Sequence, residues 1–597
     1  MARPVIIANC SAFYGDRISA AAEMVEGGSI DVLTGDWLAE LTMLILARAA
    51  RRNPSLGYAQ TFVRQMEQIL GTCVERGIRV VANAGGLNPR GCAEAVAKVA
   101  GALGIHPQIA YVTGDDLLPG FGSLRASGHC QTMPGSPDID LGRVVSANAY
   151  LGGWAVTEAL AAGADVVITG RTTDAALVSG PAAWWHGWAR DDWDALAGAV
   201  VAGHVIECGT QATGGNYSFF REVKDMTRPG FPWAEIASDG SSIIGKHQGT
   251  GGEVSVGTVT SQLLYEIGGP RYLGPDVIAR FDTIRLSEAG TDRIRVSGAR
   301  GEPPTGSLKV SVNMLGGFRN DIRVAVCGPD IAGKAQLLEA AFWEYCPYGP
   351  AEYAEVAIHL DRTDKEDAGT NEEAVAVWQI ILKDADETKV GRAVSDAAVE
   401  MSLSTSPGFF LLSGPPRQAR EYGVHASALV PANLVKERVS FLDGHEFDLT
   451  PPAMPSAAEP LAIEQESASM AECLPATRTY LGSVVGARSG DKGGDANVGV
   501  FARSELAWHW LDSFLTTEML RDLLPEVAAL SIERYRLPLI RSLNFVIHGL
   551  LGDGVAASTR QDAQAKSLGE WLRSRVVDVP TVLLDGLGSA SRERKTP

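Results

Sequence analysis

Apolar positions in the first 170 residues alternate between two spacings. Short β-branched runs end in glycine and a polar residue: Asp31-Val-Leu-Thr-Gly35-Asp36, Arg79-Val-Val-Ala-Asn83-Ala-Gly85-Gly86-Leu-Asn88-Pro89, Ala110-Tyr-Val-Thr-Gly114-Asp115-Asp116 and Asp165-Val-Val-Ile-Thr-Gly170-Arg171. Between them lie stripes of helical period, Phe62, Met66, Ile69, Leu70 and Cys73 in one and Ala95, Val96, Val99 and Leu103 in the next, which Gly104 ends. With a first strand at residues 5–8, strand and helix alternate, the pattern of a mainly parallel open sheet with helices on both faces. In such sheets ligands bind outside the carboxyl ends of the strands, so the four loops are expected to line one pocket.

The character then changes. Residues 1–253 read as the α/β ligand-binding core and 254–449 as an α+β unit. The second has a strand–turn–strand around Gly316-Gly317, helices at 331–345 and 387–401, and strands at 353–360 and 375–382. A Pro/Ala/Glu linker at 450–476 precedes residues 477–597, whose two strands, helix, two strands and helix predict a small ferredoxin-like α+β domain. The 45% apolar and 21% charged content is that of a globular protein, and a net charge of −19 argues against nucleic acid or a membrane surface as partner. The N-terminus runs straight into a strand and eight scattered cysteines lack a Cys-x-x-Cys pair, so a cytoplasmic protein with reduced thiols is expected.

Candidate chemistry sits at the strand ends. Asn88 and Pro89 read as N-cap and first helical residue, and the preceding turn would aim N–H groups of Gly85, Gly86 and Asn88 at an anion, with Asn83 beside them. Arg171, with Thr172 and Thr173, offers donors for a carboxylate or phosphate, and Asp174 a general acid or base; the competing reading pairs Asp174 with Arg171 or makes it a helix cap. Side chains of Asp115 and Asp116 diverge, so one faces the pocket; Asp116 is the proton-transfer candidate and Asp115 a binding one. Residues 204–216 look like a further strand end presenting Glu207 as a base, with Cys208 a structural thiol. Ser11 and Asp36 complete the binding set. Gly249-Thr-Gly-Gly252 fits neither the P-loop nor the dinucleotide fingerprint, so no cofactor is expected, and spacing gives no support to a divalent metal. The polar stretch 489–497 is an anion loop through Lys492, a cation loop through Asp491 and Asp495, or a hairpin turn held by its own polar residues.

Asn9-Cys-Ser-Ala-Phe-Tyr-Gly-Asp-Arg17, Leu33-Thr-Gly-Asp-Trp-Leu-Ala-Glu-Leu-Thr42, Asn83-Ala-Gly-Gly-Leu-Asn-Pro89, Gly170-Arg-Thr-Thr-Asp-Ala175 and Gly257-Thr-Val-Thr-Ser-Gln-Leu-Leu-Tyr-Glu-Ile267 together resemble the acyclic terpene utilisation family. Ala487-Arg-Ser-Gly-Asp-Lys-Gly-Gly-Asp-Ala-Asn497 is similar to the small ferredoxin-fold domain that accompanies it. The resemblance implies a place in citronellol and geraniol breakdown beside acyl-CoA carboxylases and hydratases, and passes no catalytic role to any one residue. The expectation is a homo-oligomeric enzyme acting on a small carboxylate or acyl-CoA thioester in a lyase- or hydratase-type step. The alternative is a non-catalytic subunit or assembly factor of a carboxylase, and a third is metal-assisted hydrolysis through Asp36, Asp115 and Asp116.

Overall fold

The computed structural model describes residues 3–415, 418–450 and 475–585, so the expected linker at 450–476 falls almost wholly outside the described residues. The chain divides into one unit of residues 1–313, 425–555 and 564–597 and another of 314–424 and 556–563.

In the first unit, strands Val5–Asn9, Val32–Gly35, Arg79–Ala82, Val166–Ile168 and Ile109–Thr113 lie side by side, all parallel. Each is short, β-branched and apolar because both faces are covered. Gln60–Arg76 and Pro89–Leu103 pack on one face, burying Phe62, Met66, Ile69, Leu70, Cys73 and Val96, and Phe62 meets the Trp37 ring edge-on at 5.0 Å. Ala176–His186 and Trp193–Glu207 cover the other face. Val166–Ile168 inserts between Arg79–Ala82 and Ile109–Thr113, so the connections reverse direction there, the place where an α/β sheet opens a crevice. Antiparallel strands extend the sheet at both edges, Pro232–Ile236 beside Val5–Asn9 and Arg438–Phe441 beside Ile109–Thr113. Among the described residues no helix is long and apolar enough to cross a membrane.

The C-terminal ferredoxin-like domain folds a four-stranded antiparallel sheet from Val485–Lys492, Asp495–Ala502, Ser542–Ile547 and Ile532–Leu537, in that order. Trp508, Leu511, Phe545 and Leu572 fill its core. The stretch 489–497 is therefore two hairpin arms turning at Gly493-Gly494, with Lys492 opposite Asp495. In the second unit Phe318–Cys327 pairs with Val375–Asp384, which pairs in turn with Glu355–Asp361, and Phe342, Leu338 and Trp378 form the core beneath helices Ile331–Tyr345 and Arg392–Glu400.

Two local expectations change. Gly316-Gly317 does not turn the chain: Ser307–Cys327 is one strand, in which Gly316 makes room for the Tyr422 ring and Gly317 bends the backbone at φ +117°. Residues 204–207 end a helix, Trp193–Glu207, and not a strand. Every residue from Leu196 to Ile206 is buried, so no polar face interrupts the apolar run and the helical period does not show.

Candidate active site

The strand ends converge. Asp36, one residue past Val32–Gly35, is buried, and its Oδ1 accepts from Leu38 N at 2.9 Å and from Asn83 Nδ2 at 2.5 Å. Asn83 returns the link, its Oδ1 accepting from Trp37 N at 2.8 Å. Arg171, 3% exposed, donates from Nη1 to Leu38 O and Asp174 Oδ1, both at 2.9 Å, and its guanidinium lies 4.1 Å above the Tyr150 ring. Its Nε is buried and has no partner. Burial tends to strip its proton, but Tyr150, Asp174, Asp36 and Glu40 together hold it. Burial also pushes the Asp36 carboxyl well above its usual range, with Asp174 adding to the effect and Arg171 opposing it.

Around Arg171 stands a second set of charges. Tyr150 donates to Glu40 Oε1 at 2.9 Å, and Lys309 Nζ lies 3.5 Å from the same oxygen. Against the cost of burial, Lys309, then His425 and Arg171, hold the Glu40 carboxyl below the carboxylate range. Glu40 and Lys309 are deep in the fold, yet each keeps 32% of its side-chain surface open, so they line a crevice and are not packed in the core. Glu207 reaches this region from the end of its helix: Oε1 is 3.1 Å from His204 Nδ1, and Oε2 is buried without a partner. Burial, then Asp174 and Glu266, raise its carboxyl well above the usual value, while Lys492 and Arg171 act the other way.

The C-terminal hairpin supplies the remaining wall. Lys492 Nζ donates to Glu266 O at 2.9 Å and stands 5.7 Å from the centre of the Tyr272 ring. Burial, with Glu266 and Glu40 nearby, pushes Asp491 up to about 7, and its Oδ1 is buried with no partner. Arg488 stacks 4.2 Å over Tyr265, whose hydroxyl accepts from Lys566 at 2.9 Å. Arg171, Glu207, Gln262 and Asp491 each keep a buried polar atom without a partner, donors and acceptors that a polar ligand could use.

Of the sequence candidates, Asp36, Asn83, Arg171, Asp174 and Glu207 come together. Asp115 and Asp116 turn to different surroundings. Asp115 is the buried one, accepting from Asn148 Nδ2 at 2.8 Å and Arg171 N at 2.9 Å beneath the loop, whereas Asp116 is exposed and accepts from Leu118 N at 3.0 Å. Asp36, Asp115 and Asp116 thus turn to different partners, and among the described residues no group of three His, Cys, Asp or Glu is arranged to hold a metal ion. Hydroxyls of Ser11, Thr172 and Thr173 donate to the carbonyls of Phe13, Thr173 and Leu151.

The glycine turn is a packing device. Gly85 N donates to Thr169 O, Gly86 N to Asn83 O and Asn88 N to Gly85 O, so the N–H groups read as an anion seat are already used by the chain. Asn88 does cap its helix, accepting from Gly91 N at 2.9 Å. A Cβ on Gly85 would stand 2.6 Å from Thr169 O and 2.7 Å from Pro89 Cα, both backbone. Gly85→Ala is therefore expected to cost about 1–3 kcal/mol in urea unfolding; an unchanged midpoint would contradict the close packing.

Sequence reasoning missed Glu40, Tyr150, Lys309 and Glu266. Glu40 and Tyr150 each follow a strand end closely and carried a usable signal; Lys309 and Glu266 are lone charges that only the topology brings in.

Burial raises Asp115 from 3.8 to about 7. The folded state then holds a proton that the unfolded chain releases, so this stabilisation is complete below about pH 4 and is lost as pH rises towards about 7; the shift sets an upper bound of about 4 kcal/mol. Asp115→Asn abolishes the titration and keeps the acceptor oxygen. Relative to wild type, its unfolding free energy should improve between about pH 5 and about pH 8; parallel profiles would refute the buried protonated carboxyl.

Residues 5–441 match the family described as acyclic terpene utilisation family protein AtuA, and residues 479–578 match the AtuA ferredoxin-like domain. No curated protein and no solved structure matches the chain. With one family spanning well over half of its length and the companion domain following in order, the chain belongs to the AtuA family, which is implicated in acyclic terpene utilisation.

Proposed function

We propose that the chain is a catabolic enzyme acting on a small carboxylate or an acyl-CoA thioester by proton transfer, in a hydratase- or lyase-type step of acyclic terpene or branched-acid breakdown. One observation carries the reading: the Glu207 carboxyl, raised well above its usual value by burial and with Oε2 unpartnered, lies within electrostatic reach of Arg171 and Lys492, which oppose that rise. A protonated carboxyl donates and then recovers a proton, and the cations take up the negative charge that develops on a substrate carboxylate or thioester oxygen. Arg171 Nε is the free donor on that side and Glu207 Oε2 the free oxygen on the other. For water addition to a conjugated double bond, a base takes a proton from water, the hydroxyl adds to the β-carbon, and the enolate formed is protonated at the α-carbon. One well-placed donor on such an oxyanion is worth about 2.7–4 kcal/mol. In the carboxylase-subunit reading, the C-terminal domain would be a free partner module. Its Asn497, Asn544 and Arg573 instead hydrogen-bond the carbonyls of Leu264, Gly268 and Ser218, which weighs against that reading.

The test offers the purified protein branched enoyl- and hydroxyacyl-CoA esters and the corresponding free acids, with hydration followed in both directions. Turnover of either class supports the reading; none with any member of either class overturns it.

A further inference from the structure

The turn Leu264-Tyr265-Glu266 is held in an uncommon shape, and what holds it belongs to the C-terminal domain. Glu266 has φ +54°, a left-handed conformation that a glutamate adopts only when its surroundings impose it. Asn497 of the hairpin arm Asp495–Ala502 spans the turn: its Nδ2 donates to Leu264 O at 2.7 Å and its Oδ1 accepts from Glu266 N at 2.9 Å. Lys492 takes the next carbonyl, Glu266 O, at 2.9 Å. Asn497 is fully buried and is itself fixed by Asn544, which donates to Gly268 O at 2.6 Å. The hairpin is bare where the turn sits. A Cβ on Gly490 would come within 2.7 Å of the Tyr265 ring and 2.8 Å of Glu266 Cγ, and one on Gly499 within 2.4 Å of Leu264 Cβ.

Helix termination or loop closure alone does not require this arrangement, because glycine at 266 would satisfy the backbone. The residue there is a glutamate, whose Cγ lies against Gly490 and whose carboxyl is within electrostatic reach of Tyr265, Lys566, Glu40 and Lys492. Glu207, 3.1 Å from His204 Nδ1, is within electrostatic reach of Glu266 as well as of Asp174, Lys492 and Arg171. We propose that the ferredoxin-like domain is a working half of the active site: its Asn497 and Gly490 position Glu266 opposite Glu207 as the second proton-transfer carboxyl. The assignment rests on the acid–base reading of the crevice. In a hydration step the two carboxyls divide the labour, one removing the proton from water and the other delivering a proton to the α-carbon, and the pair returns to its starting state in the reverse reaction. Asn497 and Gly490 act through Glu266 and are positioning residues.

The test uses the full-length protein and two readouts. On a branched enoyl-CoA, Glu266→Gln is expected to lower kcat by about 10²-fold or more. Gly490→Ala, which displaces the Glu266 side chain without removing a buried hydrogen bond, is expected to lower kcat while KM stays within about twofold; Asn497→Ala serves as a third variant if it folds. The second readout needs no substrate: infrared titration of protein carrying 13C-labelled glutamate, with Glu207→Gln assigning the Glu207 band. Loss of a neighbouring carboxylate should lower the titration midpoint of Glu207 in Glu266→Gln. An unshifted Glu207 midpoint, or full turnover in both Glu266→Gln and Gly490→Ala, overturns the assignment. Failure of the wild type to turn over any thioester or acid removes the acid–base reading alone, and the infrared shift still decides whether Glu266 is placed against Glu207.

Discussion

Arg171→Ala is expected to abolish turnover and to lower unfolding stability by about 3–5 kcal/mol, the usual cost of removing one partner from a buried charge cluster. The guanidinium bridges Leu38 O and Asp174 Oδ1 and covers the Tyr150 ring while compensating charge from Asp36, Asp174 and Glu40. Alanine leaves a cavity over Tyr150, an unpaired carbonyl and carboxylates without their nearest counter-charge. Lysine is a poor replacement, because its shorter side chain ends in a compact ammonium with no planar face to lie over the Tyr150 ring. Urea unfolding of Arg171→Ala and Arg171→Lys checks this; losses under about 1 kcal/mol in both would place Arg171 outside the structural heart of the crevice.

Glu207→Gln should behave in the opposite way, with turnover lower by about 10²–10⁴-fold and stability unchanged or improved. Glutamine fills the same volume and is neutral, as Glu207 is when protonated, so packing against His204 is retained. Because burial raises the folded-state value of Glu207 above its unfolded one, wild-type stability is complete below the unfolded value and declines as pH rises through the folded one. The variant lacks that decline and should gain on wild type at alkaline pH. Equal loss of activity and stability would make Glu207 a structural acid.

Local punctuation made the strand ends readable. A β-branched run, a glycine and then a polar residue is written within eight positions and marks Asp36 and Arg171, while Asn83 stands at the end of its own run just ahead of the glycine pair. The same signal misled at Gly85-Gly86, since close backbone approach and anion binding both demand glycine, and here Thr169 O and Pro89 claim the space. Glu207 was chosen for its chemistry but assigned to the wrong element, because a helix buried on every side shows no amphipathic period. Lys309, Glu266 and Lys492 lie far along the chain from Arg171, and no spacing rule connects them. Their meeting depends on where the turn at Tyr265 and the hairpin Val485–Ala502 dock, which only the assembled unit reveals.

A crystal structure of the protein soaked with a branched enoyl-CoA or its free acid probes the crevice most directly. A ligand oxygen should lie within hydrogen-bonding distance of Arg171 Nε, with the double bond facing Glu207 Oε2. Ligand density at any other surface, with the crevice between Arg171 and Glu207 filled only by water, would contradict the proposed site.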